Sequence, residues 1–425
     1  MLVGDDLVAC CLLRNPADRS VSGPRSSERA MVDYNPFSDA ALDDPHPLYK
    51  QLRDDAPAYY LEEFDCWFLS RFEDIWEQTG DTKTYSAAAR GTTPAHLLTG
   101  QLPVFPSVNL MDPPEHVRNR ALISGAFKPR RVASLRPLVQ DIVNRRIEEI
   151  ASRGEGDLVA DYIGKISMEV SCRLLGLPVE DGDLLYSFVN RFFERDRGQR
   201  GMTDDGLAAA GELNEYLEAL IVARRKQPLD EDVLMNAYLG ARFDGKPLPD
   251  DNIASQMATL VIGSTDSFPK IFASGLLSLH DGSEQRDDLI ADASLIPGAF
   301  QEALRFGMPT QMLGRTLMRD VEIHGQTMQE GQSVMYLFVA ANRDERIFDD
   351  PDRFDIRRTS KRILTFGHGN HACLGIHIAA LEGELALEAI LNRIPDYAID
   401  PAKVRRLRSE FVSGIVGLPA TWTPS

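Results

Sequence analysis

Phe366-Gly367-His368-Gly369-Asn370-His371-Ala372-Cys373-Leu374-Gly375 is the stretch that decides how this chain is read. It sets one thiol behind a glycine-rich turn and ahead of the run Leu374 to Arg393, whose spacing predicts a helix. The glycines allow the backbone to come close to the sulfur. At the mouth of a helix, the dipole and neighbouring N–H groups favour the thiolate form. A lone thiolate in apolar surroundings suits one task above others, the axial ligation of haem iron.

Outward from that loop the pattern is mainly α, with a small β-rich part. His46 to Asp55 reads as a helix, Ala58–Leu61 and Cys66–Ser70 as strands, and Phe72–Thr79 as a second helix. Ser86 to Met111 is a long, apolar connection holding one charged residue, Arg90, and is expected to form a pocket wall or lid. Helical spacing then dominates from about His116 to Lys226, for instance over Arg130–Ser152 and Leu158–Leu175. Pro249-Asp250-Asp251-Asn252 carries capping chemistry for a helix running to about His280, roughly 45 Å long. Ile253, Met257, Leu260, Val261, Phe268 and Phe272 make it apolar almost all round, so it is expected at the centre. Phe300–Phe306 continues the helical pattern, and Val321–Ile323 and Val334–Val339 are of β type.

The pattern Phe-Gly-x-Gly-x-His-x-Cys-x-Gly resembles the haem-binding loop of the cytochrome P450 family, with every position filled. Four further segments carry the resemblance, which spans about residues 35 to 420. Glu302-Ala303-Leu304-Arg305 is similar to the family's Glu-x-x-Arg motif, and Pro351-Asp352-Arg353-Phe354 to the segment whose arginine joins it. The resemblance implies a structural role for Glu302, Arg305 and Arg353, steadying the thiolate side of the haem. His116-Val117-Arg118-Asn119-Arg120 places His116 and Arg120 on one helix face. With Arg315 and His371 they match the family's usual propionate partners, and Phe366 lies with them against the haem. Gly263-Ser264-Thr265-Asp266-Ser267 resembles the segment in which an acid and an alcohol open the central helix and relay protons toward dioxygen. Here Ser267 stands where threonine is usual; it keeps the hydroxyl, loses a methyl, and is expected to couple oxygen use to product less tightly.

The resemblance therefore implies the cytochrome P450 fold with its long central helix over haem b. Cys373 is the expected iron ligand, and Asp266 and Ser267 the catalytic relay. The implied activity is a haem–thiolate monooxygenase that hydroxylates a compact hydrophobic molecule: a terpenoid, an aromatic or a steroid-like compound. Leu98, Val104, Phe192, Leu260, Gly263, Met312, Leu313 and Val416 are the expected pocket walls. Alternatives are a peroxide-using or isomerising haem–thiolate enzyme and a non-catalytic haem ligand sensor. Electrons are expected from a ferredoxin served by an NAD(P)H-dependent reductase. Two basic runs, Arg118 to Arg131 and Arg353 to His371, are the expected docking face.

Composition sets the remaining bounds. The chain has 425 residues, 43% hydrophobic and 26% charged, with a formal net charge of −18. Such a charge tells against nucleic acid and against an anionic membrane surface. Five cysteines without metal-ligand spacing (Cys10, Cys11, Cys66, Cys172, Cys373) read as reduced thiols of a cytoplasmic protein. Leu7–Leu13 is too short to span a bilayer, and no membrane anchor is expected. Residues 1–30 are expected to be a disordered tail, with Met31 a possible true start, and 31–425 one catalytic domain.

Overall fold

Ala58–Leu61 (β1) and Cys66–Leu69 (β2) pair antiparallel through a turn in which Asp65 adopts a φ of 47°. They begin the main sheet of this computed structural model, which describes residues 32–196, 198–227 and 232–425. The expected tail, Met31, Cys10 and Cys11 lie outside the described residues. Tyr85–Ser86 (β3), Met312–Leu317 (β4) and Ser333–Leu337 (β5) complete the sheet in the order β1-β2-β5-β4-β3. β5 runs parallel to β2 and antiparallel to β4, with Arg315 opposite Val334. Phe68, Leu69, Met335 and Tyr336 are buried in the core of this part.

The rest of the site is carried on helices. Phe72–Gly80 (α1) follows the hairpin, and Glu115–Ile123 (α2) follows the long connection. Arg136–Ala151 (α3) packs against the last long helix, Ile376–Arg393 (α10). Between them come Gly164–Leu175 (α4), Gly182–Phe193 (α5), Asp204–Lys226 (α6), Asp250–Thr265 (α7), Ser267–Asp281 (α8) and Ile296–Phe306 (α9). α4, α5 and α6 surround α7, whose Ile253, Met257 and Val261 are wholly buried. α8 lies against α9 and against the strand Gly414–Gly417 (β6).

Two expected helices are divided. The central helix stops at Thr265 and restarts at Ser267, with Asp266 between them at φ −96°, ψ −54°. Pro269 has no N–H to return to Thr265, four residues earlier, so the ladder opens at this point. One residue earlier, the carbonyl of Ser264 accepts the Ser167 hydroxyl of α4, 2.8 Å away. Likewise the Arg130–Ser152 pattern breaks at Leu135, after a short helix Pro129–Ser134.

The long connection is ordered by a one-turn helix, Pro94–Leu97, and a 3-10 turn, Val108–Leu110. Its Leu97, Leu98, Phe105 and Val108 are buried, whereas Leu102 is 85% exposed and belongs to no wall. Among the described residues no helix is long and apolar enough to cross a membrane.

Candidate functional site

The cysteine loop is shaped by two glycines with positive φ, Gly367 (64°) and Gly369 (74°). A Cβ on Gly369 would lie 2.6 Å from the carbonyl oxygen of Thr79, so only glycine lets the loop close onto the end of α1. His368 then stacks on Trp76 of α1 with ring centroids 3.7 Å apart. The Cys373 N–H donates to the Phe366 carbonyl (2.8 Å), and the Gly375 N–H points at Sγ (3.3 Å). α10 starts at Ile376, two residues later than expected.

Cys373 opens onto a cavity of about 410 Å³ deep in the molecule. Burial pushes its thiol up, against the weaker opposing pull of the Gly375 N–H and the Arg120 guanidinium. The Gly375 N–H favours the thiolate as expected, and a cation on the sulfur would favour it further.

Across the cavity stand Leu260, Gly263, Ser264 and Ser267 at the α7–α8 break, with Leu313 from β4. At its edge four basic groups converge: His116 and Arg120 from α2, Arg315 from β4, and His371 from the cysteine loop. The two imidazoles lie 4.1 Å apart, centroid to centroid. Both ring nitrogens of His116, and Nε2 of His371, are buried without a hydrogen-bond partner. Arg315 is buried, and its guanidinium donates to the neighbouring Gly314 carbonyl (2.7 Å). Arg120 donates to the Ala372 carbonyl. No acid is paired with either arginine among the described residues. Burial, reinforced by the neighbouring cations, lowers the His371 imidazole to about 3, and His116 shifts the same way.

Orphaned donors of this kind need an anionic partner. The residues therefore fit a haem: one sulfur to meet iron, an apolar enclosure including Phe127, Phe366 and Ile378, and N–H donors for two carboxylates.

Several expected residues stand elsewhere. Leu98 and Met312 are packed into the sheet core, and Val104, Phe192 and Val416 do not line the cavity. Phe192 instead contacts Phe105 and Phe193. Val170 and Leu174 of α4, Thr310 and Phe338 do line it. They escaped the sequence reading because a helix face turned to a cavity and one turned to a core have the same spacing.

Arg353 is not the third member of the Glu302–Arg305 group. Its side chain is 61% exposed and pairs with Asp350 and Asp355. Arg358 takes the place, its Nε 3.1 Å from Glu302 Oε1. Arg305 donates twice to Glu302 (2.8 and 2.7 Å) and to the carbonyls of Asn342 and Pro351.

Asp266 also departs from expectation. Ser267 lines the cavity, but Asp266 turns from it and pairs with Lys270, a residue the sequence reading passed over. A lysine in so apolar a helix, four residues after the acid, was the available signal.

The expected docking face is largely neutralised. Arg118, Arg131, Arg357 and Arg362 pair with Asp244, Asp232, Asp288 and Glu73. Lys128, Arg130 and Lys361 are exposed and have no acid partner among the described residues.

Comparison with known proteins agrees with this geometry. The family model described as Cytochrome P450 matches residues 276–395. The chain is 33% identical over 386 residues to the putative cytochrome P450 123 of Mycobacterium tuberculosis, covering 91% of this chain and 96% of that one. It is also 33% identical over 398 residues to the vitamin D(3) 25-hydroxylase of Pseudonocardia autotrophica, covering 91% and 96%. A solved structure of a P450 EryK mutant in complex with erythromycin B superposes with a TM-score of 0.79 at 26% identity, covering 90% and 96%.

Proposed function

The chain belongs to the cytochrome P450 family and is a monooxygenase, and on that premise we propose that it hydroxylates a neutral, largely apolar substrate with electrons from a ferredoxin. The observation that carries the reading is the convergence of Cys373 and four basic groups without acid partners on one cavity. Haem b held by a thiolate supplies O–O bond cleavage and insertion of one oxygen atom into a C–H bond.

The chain's own residues do the rest. Cys373 holds the iron, and His116, Arg120, Arg315 and His371 bind the propionates and so fix the ring's rotation in the cavity. Glu302, Arg305 and Arg358 brace the segment leading into the cysteine loop. Ser267 presents a hydroxyl at the distal wall, and Asp266 behind it holds a proton for delivery. Serine in place of threonine leaves that hydroxyl freer to turn, which favours looser coupling.

Leu260, Leu313 and Phe338 offer the substrate apolar contact, while Asn109, Thr259 and Thr310 offer hydrogen bonds. With both cavity arginines committed to propionates, no lysine or arginine remains among the described lining residues to pair with a substrate carboxylate. A steroid-like molecule with few oxygen functions fits such walls, and the relative named for vitamin D(3) supports that class. Lys128, Arg130 and Lys361 support docking of a small acidic iron–sulfur protein, on a narrower patch than the sequence suggested.

The test is spectroscopic. The reduced protein under carbon monoxide should absorb at the position diagnostic of thiolate ligation. Cys373→His should keep haem and move the band; an unmoved band would remove Cys373 as ligand. A panel of steroid, terpenoid and aromatic compounds, read by the high-spin shift of the oxidised haem, then ranks the substrate classes.

A further inference from the structure

Behind the helix break lies a group of buried charges of which only Asp266 has been given a role. Asp266 and Lys270 form an ion pair in which the side chains are only 3% and 6% exposed. Arg195, just past α5, sits close enough to bias the Asp266 carboxylate, and its Nε lies 3.8 Å from Glu410 Oε1. Tyr186 of α5 also faces Asp266. Three polar atoms here have no hydrogen-bond partner among the described residues: Asp266 Oδ2, Arg195 Nε and Glu410 Oε1.

The local sequence explains why Asp266 takes Lys270. Asp266 is the N-cap of α8, where an aspartate ordinarily accepts the N–H of the second or third helical residue. The third residue is Pro269, which has none, and Asp266 makes no capping bond. The carboxylate is therefore free for Lys270, one turn on. The lysine stem lies against Gly414 of β6, where a Cβ would come within 3.2 Å of it, and its Nζ sits 5.4 Å from the centroid of Phe193. Its reach is fixed by packing on both sides.

We propose that Lys270 is a positioning residue for oxygen activation: it holds the Asp266 carboxylate in the helix break and sets the proton affinity of that acid. A carboxyl buried alone becomes a weak acid, slow to part with its proton at neutral pH. Burial does push Asp266 up, and Lys270, with Arg195 behind it, pulls it back. The pair thus opposes the effect of burial on that acid. In each cycle Asp266 passes one proton toward Ser267 and the cavity, is left as a carboxylate facing the Lys270 ammonium, and regains a proton from solvent. Lys270 serves as counter-ion and exchanges none.

This inference rests on the reading of Asp266 as proton donor, and the experiment separates the two. The carboxyl stretch of protonated Asp266, assigned by its loss in Asp266→Asn, is titrated by infrared difference spectroscopy in the haem-loaded protein. The pH profile of dioxygen consumption, driven by a plant-type ferredoxin and its reductase, is measured in parallel. Lys270→Met should raise the infrared midpoint by about 1–3 pH units, move the alkaline limb of the rate profile upward with it, and slow the plateau. Lys270→Arg should restore both. Lys270→Gln carries the same expectation should the Met variant not load haem. Equal infrared midpoints in wild type and the neutral variants would overturn the proposal while leaving Asp266 as donor. A shifted midpoint with an unmoved rate profile would show that the pair exists but that Asp266 is no donor, and both readings would fall.

Discussion

Two sets of buried charge flank the cysteine loop, and they are built on opposite principles. Glu302, Arg305 and Arg358 form a closed set: every carboxylate oxygen meets a guanidinium or a backbone N–H, and Arg305 spends its remaining donors on backbone carbonyls. His116, Arg120, Arg315 and His371 form an open one: among the described residues no acid pairs with them, and three of their ring nitrogens have no hydrogen-bond partner. A buried group without a partner is costly. A protein that keeps four together holds them for something it does not itself supply. The closed set belongs to the scaffold, the open set to a ligand.

The largest expected effect comes from opening the closed set. Arg305→Ala would leave Glu302 buried with Arg358 as its one remaining guanidinium and would take their shared donor from the Asn342 and Pro351 carbonyls, a cost of about 3–5 kcal/mol. Arg358→Ala should cost less, because Arg305 would still chelate Glu302. Arg353→Ala should stay within about 1 kcal/mol, as expected for an exposed pair. Denaturant midpoints of the three variants check the order, and a loss at Arg353 equal to that at Arg305 would break the distinction between the two arginines.

In the open set the same kind of substitution should act in the opposite sense. Arg315→Met removes a buried cation without an acid partner, so the haem-free protein should be as stable as wild type or more so. The loaded protein, in contrast, loses a charge-assisted bond to a propionate, about 1.5–3 kcal/mol, and should release haem on the order of 10–100-fold faster to an excess of a scavenging haem protein. Destabilisation of the haem-free form comparable to Arg305→Ala would show the open set to be scaffold after all.

Much of this contrast was legible from residues, but unevenly. Cys373, its loop glycines and Glu302–Arg305 are close in sequence, where backbone geometry ties spacing to contact, and the Glu302–Arg305 pair closes as its spacing predicts. His116, Arg315 and His371 come together from three distant segments; the family resemblance, not their spacing, placed them. Arg353 was misplaced because two arginines five residues apart in a turn are equivalent on paper, and only folding turns Arg358 inward and Arg353 to solvent. Pocket residues fared worst. Leu98 and Val416 are as apolar as Leu260, and which of them sees a cavity depends on packing between elements. Lys270 was overlooked because a long apolar helix draws attention to its core-facing residues.

The smallest expected effect lies in the cavity wall and sharpens the comparison by making a satisfied group titratable. His96 closes the one-turn helix Pro94–Leu97: its Nδ1 accepts the N–H groups of Thr92 (3.2 Å) and Thr93 (3.4 Å), while Thr93 caps the His96 N–H in return. Acceptance requires a neutral ring nitrogen, and burial lowers this imidazole to about 4. The unfolded chain, with an ordinary value near 6.5, binds a proton earlier as pH falls, so folding stability is full above about pH 6.5 and is lost progressively down to about pH 4. A displacement from 6.5 to about 4 corresponds to about 3 kcal/mol over this window, which the partial exposure of the ring cuts to about 1–2 kcal/mol. Buried Glu382, Glu410 and Asp266 have raised values and bias stability the other way over part of this range, so the absolute slope is a sum of opposing contributions. The difference between wild type and His96→Gln isolates the imidazole, because Gln can accept one of the two N–H groups through its carbonyl and does not titrate. Denaturant midpoints of the two proteins should converge as pH falls from 7 toward 4.5. A wild-type curve parallel to that of His96→Gln throughout would mean that this wall is held by packing and not by its histidine.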